Sequence, residues 1–214
     1  MNKNISKVHP GILDDKRRDL LQKIIPFTEE FVLAGGTALA LQLAHRKSFD
    51  FDFFSTSQIP KKLLEKLSQV LAIDNVVIDT LDELTLFTKN GIKITFLYYP
   101  FKPHFQILKT GKGLSLFSIP EIAIQKAYTI GRRGEYRDYF DLYTILKQGH
   151  IDIKQIISVS EKVYGGAFSE KLFLEQLVYF GDISSFSVTP VAKVSLPQPE
   201  EIKHFFEDEV KKYL

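Results

Sequence analysis

The sequence predicts an α+β protein: a mixed β-sheet with helices in the N-terminal half, followed by a mainly helical C-terminal half. Three observations carry this. Phe31-Val32-Leu33-Ala34 is a short apolar run closed by Gly35-Gly36, then an Ala/Leu-rich stretch, then the strict alternation Phe49-Asp50-Phe51-Asp52-Phe53, so it reads as strand, glycine turn, helix, strand. Asn90-Gly91 separates two β-patterned runs and signals a tight hairpin. Beyond Pro100, Pro103 and Gly111-Lys112-Gly113, the patterns are helical almost to the C-terminus.

Taken in order, residues 13–25 form an amphipathic helix. Asp14 and Asp15 precede Leu20, Leu21, Ile24 and Ile25, and Pro26 ends it. The strand–turn–helix–strand unit follows, with Thr37 placed to cap a helix running to Arg46. Pro60 opens a helix of mixed Lys and Leu whose lysines read as a solvated face. Strands are expected at Val76–Leu81, Thr85–Lys89 and Ile92–Tyr99. Helices follow at Ile119–Ile130, Glu135–Lys147, 152–164, 169–180 and Glu200–Leu214, with Ser184–Pro199 extended between the last two. The expected division is a core over residues 1–115 and a helical region over 116–214, as separate domains or one compact unit.

Composition bounds the class. In 214 residues, 44% hydrophobic and 25% charged content are those of a globular protein able to bury a core. The lack of cysteine excludes a disulfide framework and zinc–thiolate sites. Met1–Lys7 lacks the apolar run of a signal peptide, and residues 31–44 are too short to span a bilayer. A cytoplasmic protein with no membrane partner is expected. A net charge of +2 does not diagnose nucleic-acid binding but permits a local basic patch.

The alternating strand carries the chemistry. Residues two apart on a strand point the same way, roughly 6.5–7 Å apart. Asp50 and Asp52 therefore converge, backed by Phe49, Phe51 and Phe53. Carboxylates about 5 Å apart repel by roughly 3 kcal/mol at an effective dielectric near 20. A proton, a basic neighbour or a divalent cation relieves that repulsion, and Mg²⁺ (or Mn²⁺) suits two carboxylates completed by substrate phosphates. Gly35 and Gly36 serve either a tight turn or close approach of backbone N–H groups to phosphate. Thr37 bonds phosphate or caps its helix, and Ser48 supports an aspartate or the backbone before the strand. A phosphate cradle followed by a metal-binding carboxylate pair describes a site for a nucleoside triphosphate.

Gly-Gly, thirteen residues, then Asp-x-Asp resembles the nucleotidyltransferase fold of the DNA polymerase beta type. The string GGTALALQLAHRKSFDFDFF resembles, more narrowly, the AbiEii/AbiGii toxin family of nucleotidyltransferases. A second block, Lys126 followed by GRRGEYRDYFDLY from Gly131 to Tyr143, resembles that family's later motif. The resemblance runs from about Phe31 to Leu146. It implies an NTP donor, Mg²⁺ at Asp50 and Asp52, and Lys126 facing the phosphates. It also implies a toxin with a cognate antitoxin protein, and RNA, particularly the tRNA 3′ end, as acceptor.

Polymerase-beta-like enzymes often carry a third carboxylate on a later strand. Here that strand, Ile92–Tyr99, has no acid, and Thr95 or Lys93 stands in the expected place. Nucleotide binding is assigned to Gly35, Gly36, Thr37, Ser48 and Arg46, with His45 as architectural support. The bland alternative for Lys126 is a solvated helix face. Asp138 either meets the active site with Lys126 or, with Asp141, pairs with Arg133 or Arg137. Arg132, Arg133 and Arg137 are candidates for an RNA backbone. The rival readings are a small-molecule nucleotidyltransferase of the antibiotic-modifying kind and a non-catalytic nucleotide- or partner-binding module.

Overall fold

The computed structural model describes residues 8–111, 113–130, 132–191 and 195–214. Lys112, Gly131 and Met1–Lys7, read above from the sequence, lie outside these, as does part of the extended Ser184–Pro199 stretch. The chain forms two compact units, residues 1–102 with 106–118, and residues 103–105 with 119–214.

The first unit is built on a seven-stranded mixed sheet of order β3-β4-β5-β2-β1-β7-β6. Its strands are β1 (Val32–Leu33), β2 (Phe51–Ser55), β3 (Ile73–Asp79), β4 (Glu83–Thr88), β5 (Lys93–Tyr98), β6 (Ile107–Lys109) and β7 (Ser115–Phe117). Three helices accompany them: α1 (Asp15–Ile24), α2 (Gly35–Leu43) and α3 (Leu63–Ser68). The β4–β5 connection is the expected hairpin. Gly91 adopts φ +72°, which asparagine-glycine turns require of their second residue, and its N–H donates to the Thr88 carbonyl at 2.8 Å.

β2 lies between β1 (antiparallel) and β5 (parallel). Its alternation follows burial: Phe51, Phe53 and Ser55 are buried, while Asp52 and Phe54 are half-buried on the opposite face. Phe51 and Phe53 stack with centroids 6.5 Å apart, Phe53 stacks on Phe96 at 5.2 Å, and Phe31 meets Phe96 edge-on at 4.9 Å. Phe49 departs from the expected backing row. It precedes the strand, is 39% exposed, and lies under the Arg17 guanidinium at 4.9 Å.

The sheet also extends further than the sequence pattern indicates. Gly111 and Gly113, read as part of a boundary, lie between β6 and β7. The expected division at 115/116 falls inside β7, where Leu116 pairs in parallel with Leu33 of β1. Three-residue strands are too short for alternation to reveal them.

The second unit is helical: α4 (Ile119–Ile130), α5 (Tyr136–Lys147), α6 (Ile153–Tyr164), α7 (Glu170–Val178) and α8 (Pro199–Tyr213). Asp152 and Gln155 close a reciprocal capping box on α6, and Ser169 caps α7. Ile202, Phe206 and Val210 of α8 are buried, as its spacing predicts. Ser184–Pro199 carries no strand among its described residues, and helix begins only at its last residue. No helix among the described residues is long and apolar enough to cross a membrane.

Glu121, in the first turn of α4, is 1% exposed. Its Oε2 accepts the N–H groups of His104 and Phe105 at 2.9 and 2.8 Å, which holds residues 103–105 in this unit. Burial raises its pKa and the two backbone donors only partly oppose this. A raised carboxyl pKa contributes stability below its unfolded value of 4.5, and that contribution is lost as pH rises through the folded value. Glu121→Gln keeps an oxygen for both donors and does not ionise. Measured from acid to neutral pH, its unfolding free energy relative to wild type should rise across a window opening near 4.5; a pH-independent difference would mean that Glu121 does not titrate with folding.

Candidate active site

The glycine turn belongs to α2 itself. The helix begins at Gly35, two residues earlier than the sequence suggests, with Ala34 as N-cap and no side-chain cap. Thr37 is therefore inside the first turn and does not cap. Its hydroxyl, 2% exposed, bonds the Asp50 carbonyl and lies 2.9 Å from the Ser48 hydroxyl. Thr37 has one hydroxyl proton and the Asp50 carbonyl only accepts, so Ser48 donates between the two hydroxyls. Thr37 and Ser48 thus tie α2 to the segment that enters β2.

Both glycines are closely approached by side chains. Gly35 has φ +61°, where L side chains are strained, and a Cβ there would lie 3.2 Å from Asp52 Oδ2. A Cβ on Gly36 would collide with Arg46 Nη2 and stand 3.1 Å from its Cζ and 3.3 Å from Ser48 Oγ. Arg46 is 4% exposed and also donates to the Lys47 carbonyl at 3.0 Å. It lies against the glycine turn. His45 is half-buried just past Ala44, which closes α2 at φ 51°.

Asp52 is fixed through its backbone, whose carbonyl accepts the Ala34 N–H at 2.8 Å. Its carboxylate therefore lies beside the N-terminal turn of α2, where N–H groups lack partners within the helix. Asp50 immediately precedes β2 and is half-buried. On β5, Thr95 stands in register opposite Asp52, the place considered above for a third acid. The polar row continues to Thr85 of β4, whose hydroxyl lies 3.3 Å from Thr95 Oγ1 and donates to Glu83 Oε1 at 2.6 Å. Sequence reasoning missed Glu83; the alternation Glu83-x-Thr85 opposite Thr95 was the available signal. No group of three or more His, Cys, Asp or Glu side chains placed to hold a metal occurs among the described residues.

In the helical unit, Lys126 does not lie on a solvated face. Its Nζ donates to Asp138 Oδ1 at 2.6 Å and lies 2.7 Å from Asp141 Oδ2, with side-chain exposures of 8%, 2% and 0%. Arg133 Nε donates to Asp138 Oδ2 at 2.9 Å. The four charges cancel in sign. Burial works against ionised Asp138, but Lys126 and Arg133 outweigh it and hold its carboxyl below the ordinary value of 3.8. Arg132 is committed elsewhere: its guanidinium stacks over Tyr128 at 3.7 Å and donates to the Tyr128 and Ala167 carbonyls. Arg137 is half exposed and lies 3.6 Å from Glu135 rather than pairing with Asp138 or Asp141.

Lys126→Ala would remove the cation that both buried carboxylates contact. It should destabilise the helical unit by about 3–5 kcal/mol, as breaking a buried ion pair does. Thermal and denaturant unfolding of the variant check this, and a loss below about 1 kcal/mol would mean the pair is solvated as surface pairs are.

Residues 19–100 match the family described as "Nucleotidyl transferase AbiEii toxin, Type IV TA system". The chain is 31% identical over 212 residues to the uncharacterized protein aq_aa25 of Aquifex aeolicus, covering 94% of this chain and 98% of that one. JHP933 from Helicobacter pylori has a similar fold, with a TM-score of 0.55, 18% identity, and coverage of 96% of this chain and 94% of that one. The nucleotidyltransferase toxin MenT4 of Mycobacterium tuberculosis aligns with a TM-score of 0.60 and 19% identity, over 92% of this chain and 80% of that one. The glycine turn against Asp52 lies within the matched residues, and the chain belongs to the AbiEii nucleotidyltransferase toxin family.

Proposed function

We propose that this nucleotidyltransferase transfers a nucleoside monophosphate from an NTP to a hydroxyl of RNA, the tRNA 3′ end being the acceptor the family reading favours, and that it acts as the toxin opposed by a cognate antitoxin. The observation that carries the donor site is the contact between Gly35 and Asp52. A turn whose left-handed Gly35 would strain any side chain lies against a carboxylate at the start of a helix. Backbone N–H groups at such a turn suit the β- and γ-phosphates, and the acid beside them suits the charge next to the α-phosphate.

The donor set fits a hard divalent cation. Asp50 and Asp52 offer carboxylate oxygens and no competing soft ligand, which matches a Mg²⁺ site completed by substrate phosphates. When bound, Mg²⁺ (or Mn²⁺) neutralises phosphate charge and polarises the α-phosphorus toward attack. The chain's own residues do the rest. Gly35 and Gly36 admit the phosphates, and Thr37 with Ser48 holds the turn to β2. Asp50 or Asp52 takes a proton from the attacking hydroxyl, and pyrophosphate leaves. Lys126 belongs to this reading as a cation that offsets charge in transfer, with Asp138 and Asp141 fixing its position.

Asp50→Asn with Asp52→Asn preserves side-chain shape in β2 and just before it, so the double variant should fold and lose Mg²⁺-dependent NTP binding and transfer. Full incorporation of labelled NTP into total RNA by this variant would overturn the mechanism. For Lys126, the pair Lys126→Met and Asp141→Asn keeps the buried charges balanced. Turnover is expected to fall roughly 10²-fold or more, as on removing a preorganised donor, with an unchanged melting temperature. Wild-type kinetics in that variant would make Lys126 a structural cation only.

A further inference from the structure

The sheet face that carries Asp52 also carries an aromatic row that the donor-site reading does not use. Phe54, two residues along β2 and on the same face, is half-buried. Its ring lies against Tyr99 with centroids 4.9 Å apart at a tilt of 31° and meets Phe117 edge-on at 6.2 Å, and Tyr99 meets Phe101 edge-on at 5.2 Å. Tyr99 is held to β2 by its N–H, which donates to the Ser55 carbonyl at 2.7 Å. All three rings are half-buried, unlike the fully buried Phe51, Phe53 and Phe96 on the opposite face. Aromatic rings kept partly accessible beside a charged site contrast with the completed burial of the other face.

The order of groups along β1 and β2 is informative. Ala34, which leads into the glycine turn, is opposite Asp52, and Val32 is opposite Phe54. From one end the sheet thus presents the phosphate turn, then the carboxylate, then an aromatic face. A nucleotide presents phosphates, then ribose, then a flat π-surface. We infer that Phe54 and Tyr99 form a stacking platform for a nucleobase. This inference rests on the donor site proposed above. The order of groups matches the base of the donor NTP, and the terminal base of an RNA acceptor offers the same chemistry. Stacking is sequence-tolerant, because every base has a π-face.

Replacing Tyr99 with leucine keeps apolar volume but removes the π-face, and Phe54→Leu does the same on β2. Binding is measured calorimetrically with Mg²⁺ present, using ATP, the other NTPs, inorganic tripolyphosphate and single-stranded RNA. Each variant should lose about 5- to 150-fold in NTP affinity, the range for loss of one base–aromatic stack. Tripolyphosphate affinity should not change, and Tyr99→Phe should restore NTP binding. If NTP affinity holds while RNA affinity falls, the stacked base is the acceptor's. If both hold in Tyr99→Leu and Phe54→Leu, the platform is overturned while the donor site stands. If wild type binds neither NTP nor tripolyphosphate, the donor-site reading fails and the platform fails with it. A variant that does not depend on losing packing closes the test. The chain has no tryptophan, so Tyr99→Trp supplies a single reporter. NTP or RNA should quench its emission and tripolyphosphate should not; equal response to all three would overturn the stack.

Discussion

The close approach of Arg46 to Gly36 is the constraint on which the first unit's site depends. A guanidinium occupies the space a side chain at Gly36 would fill, and it is almost fully buried there. Burying a cation is costly unless its donors are satisfied. The Lys47 carbonyl accepts one of them. The gain is positional. With Arg46 on one side and the Thr37–Ser48–Asp50 bonds on another, the first turn of α2 cannot rotate independently of β2. Gly35 then meets Asp52 as a consequence of how helix and strand are joined. The preorganisation that electrostatic catalysis needs is therefore set by packing beneath the turn.

The helical unit solves a different problem with the same currency. Lys126, Asp138, Asp141 and Arg133 form a group that is neutral in sign, and three of the four are nearly inaccessible. Such clusters seldom add net stability over an apolar core of equal volume. They do fix side-chain positions tightly, because each donor has few alternatives once water is excluded. Burial opposes the ionised form of Asp138, and the charges of Lys126 and Arg133 hold its carboxyl below the ordinary value in spite of it.

Much of this was legible in the sequence, and the limits have physical causes. The Phe/Asp alternation of β2 and the Asn90-Gly91 turn were readable because one-sided burial and a positive φ leave strong residue signatures. The α+β class and the helical second half followed from periodicity. The start of α2 was misplaced because Gly-Gly reads locally as a turn, while tertiary contacts from Arg46 and Asp52 draw both glycines into the helix. Phe49 was counted as core because alternation continues one step past the strand. β6 and β7 were invisible, since three residues carry no period, and their partners are β1 and each other. The Lys126 cluster is half legible: the residue types stand in the sequence, but spacing alone does not choose Arg133 over Arg137 as the partner of Asp138.

Thr95 opposite Asp52 bears on how a donor site of this kind is charged. Each added carboxylate in such a site adds pairwise repulsion, roughly 3 kcal/mol for two acids about 5 Å apart at an effective dielectric near 20. A threonine in that position adds none. It is itself linked through Thr85 to Glu83, so that carboxylate's nearer oxygen is already engaged by a hydroxyl. On the proposed reading, two acids alone hold a bare divalent cation weakly, because Mg²⁺ dehydrates reluctantly and relies on phosphate oxygens to complete its shell. Metal and nucleotide then enter as one charged unit, and the glycine turn and the aspartates bind as one site rather than two. On that reading, Gly35 lies against Asp52 because the turn and the carboxylate would serve one and the same cation–phosphate unit, and a side chain at its left-handed backbone would be strained and crowd Asp52 Oδ2.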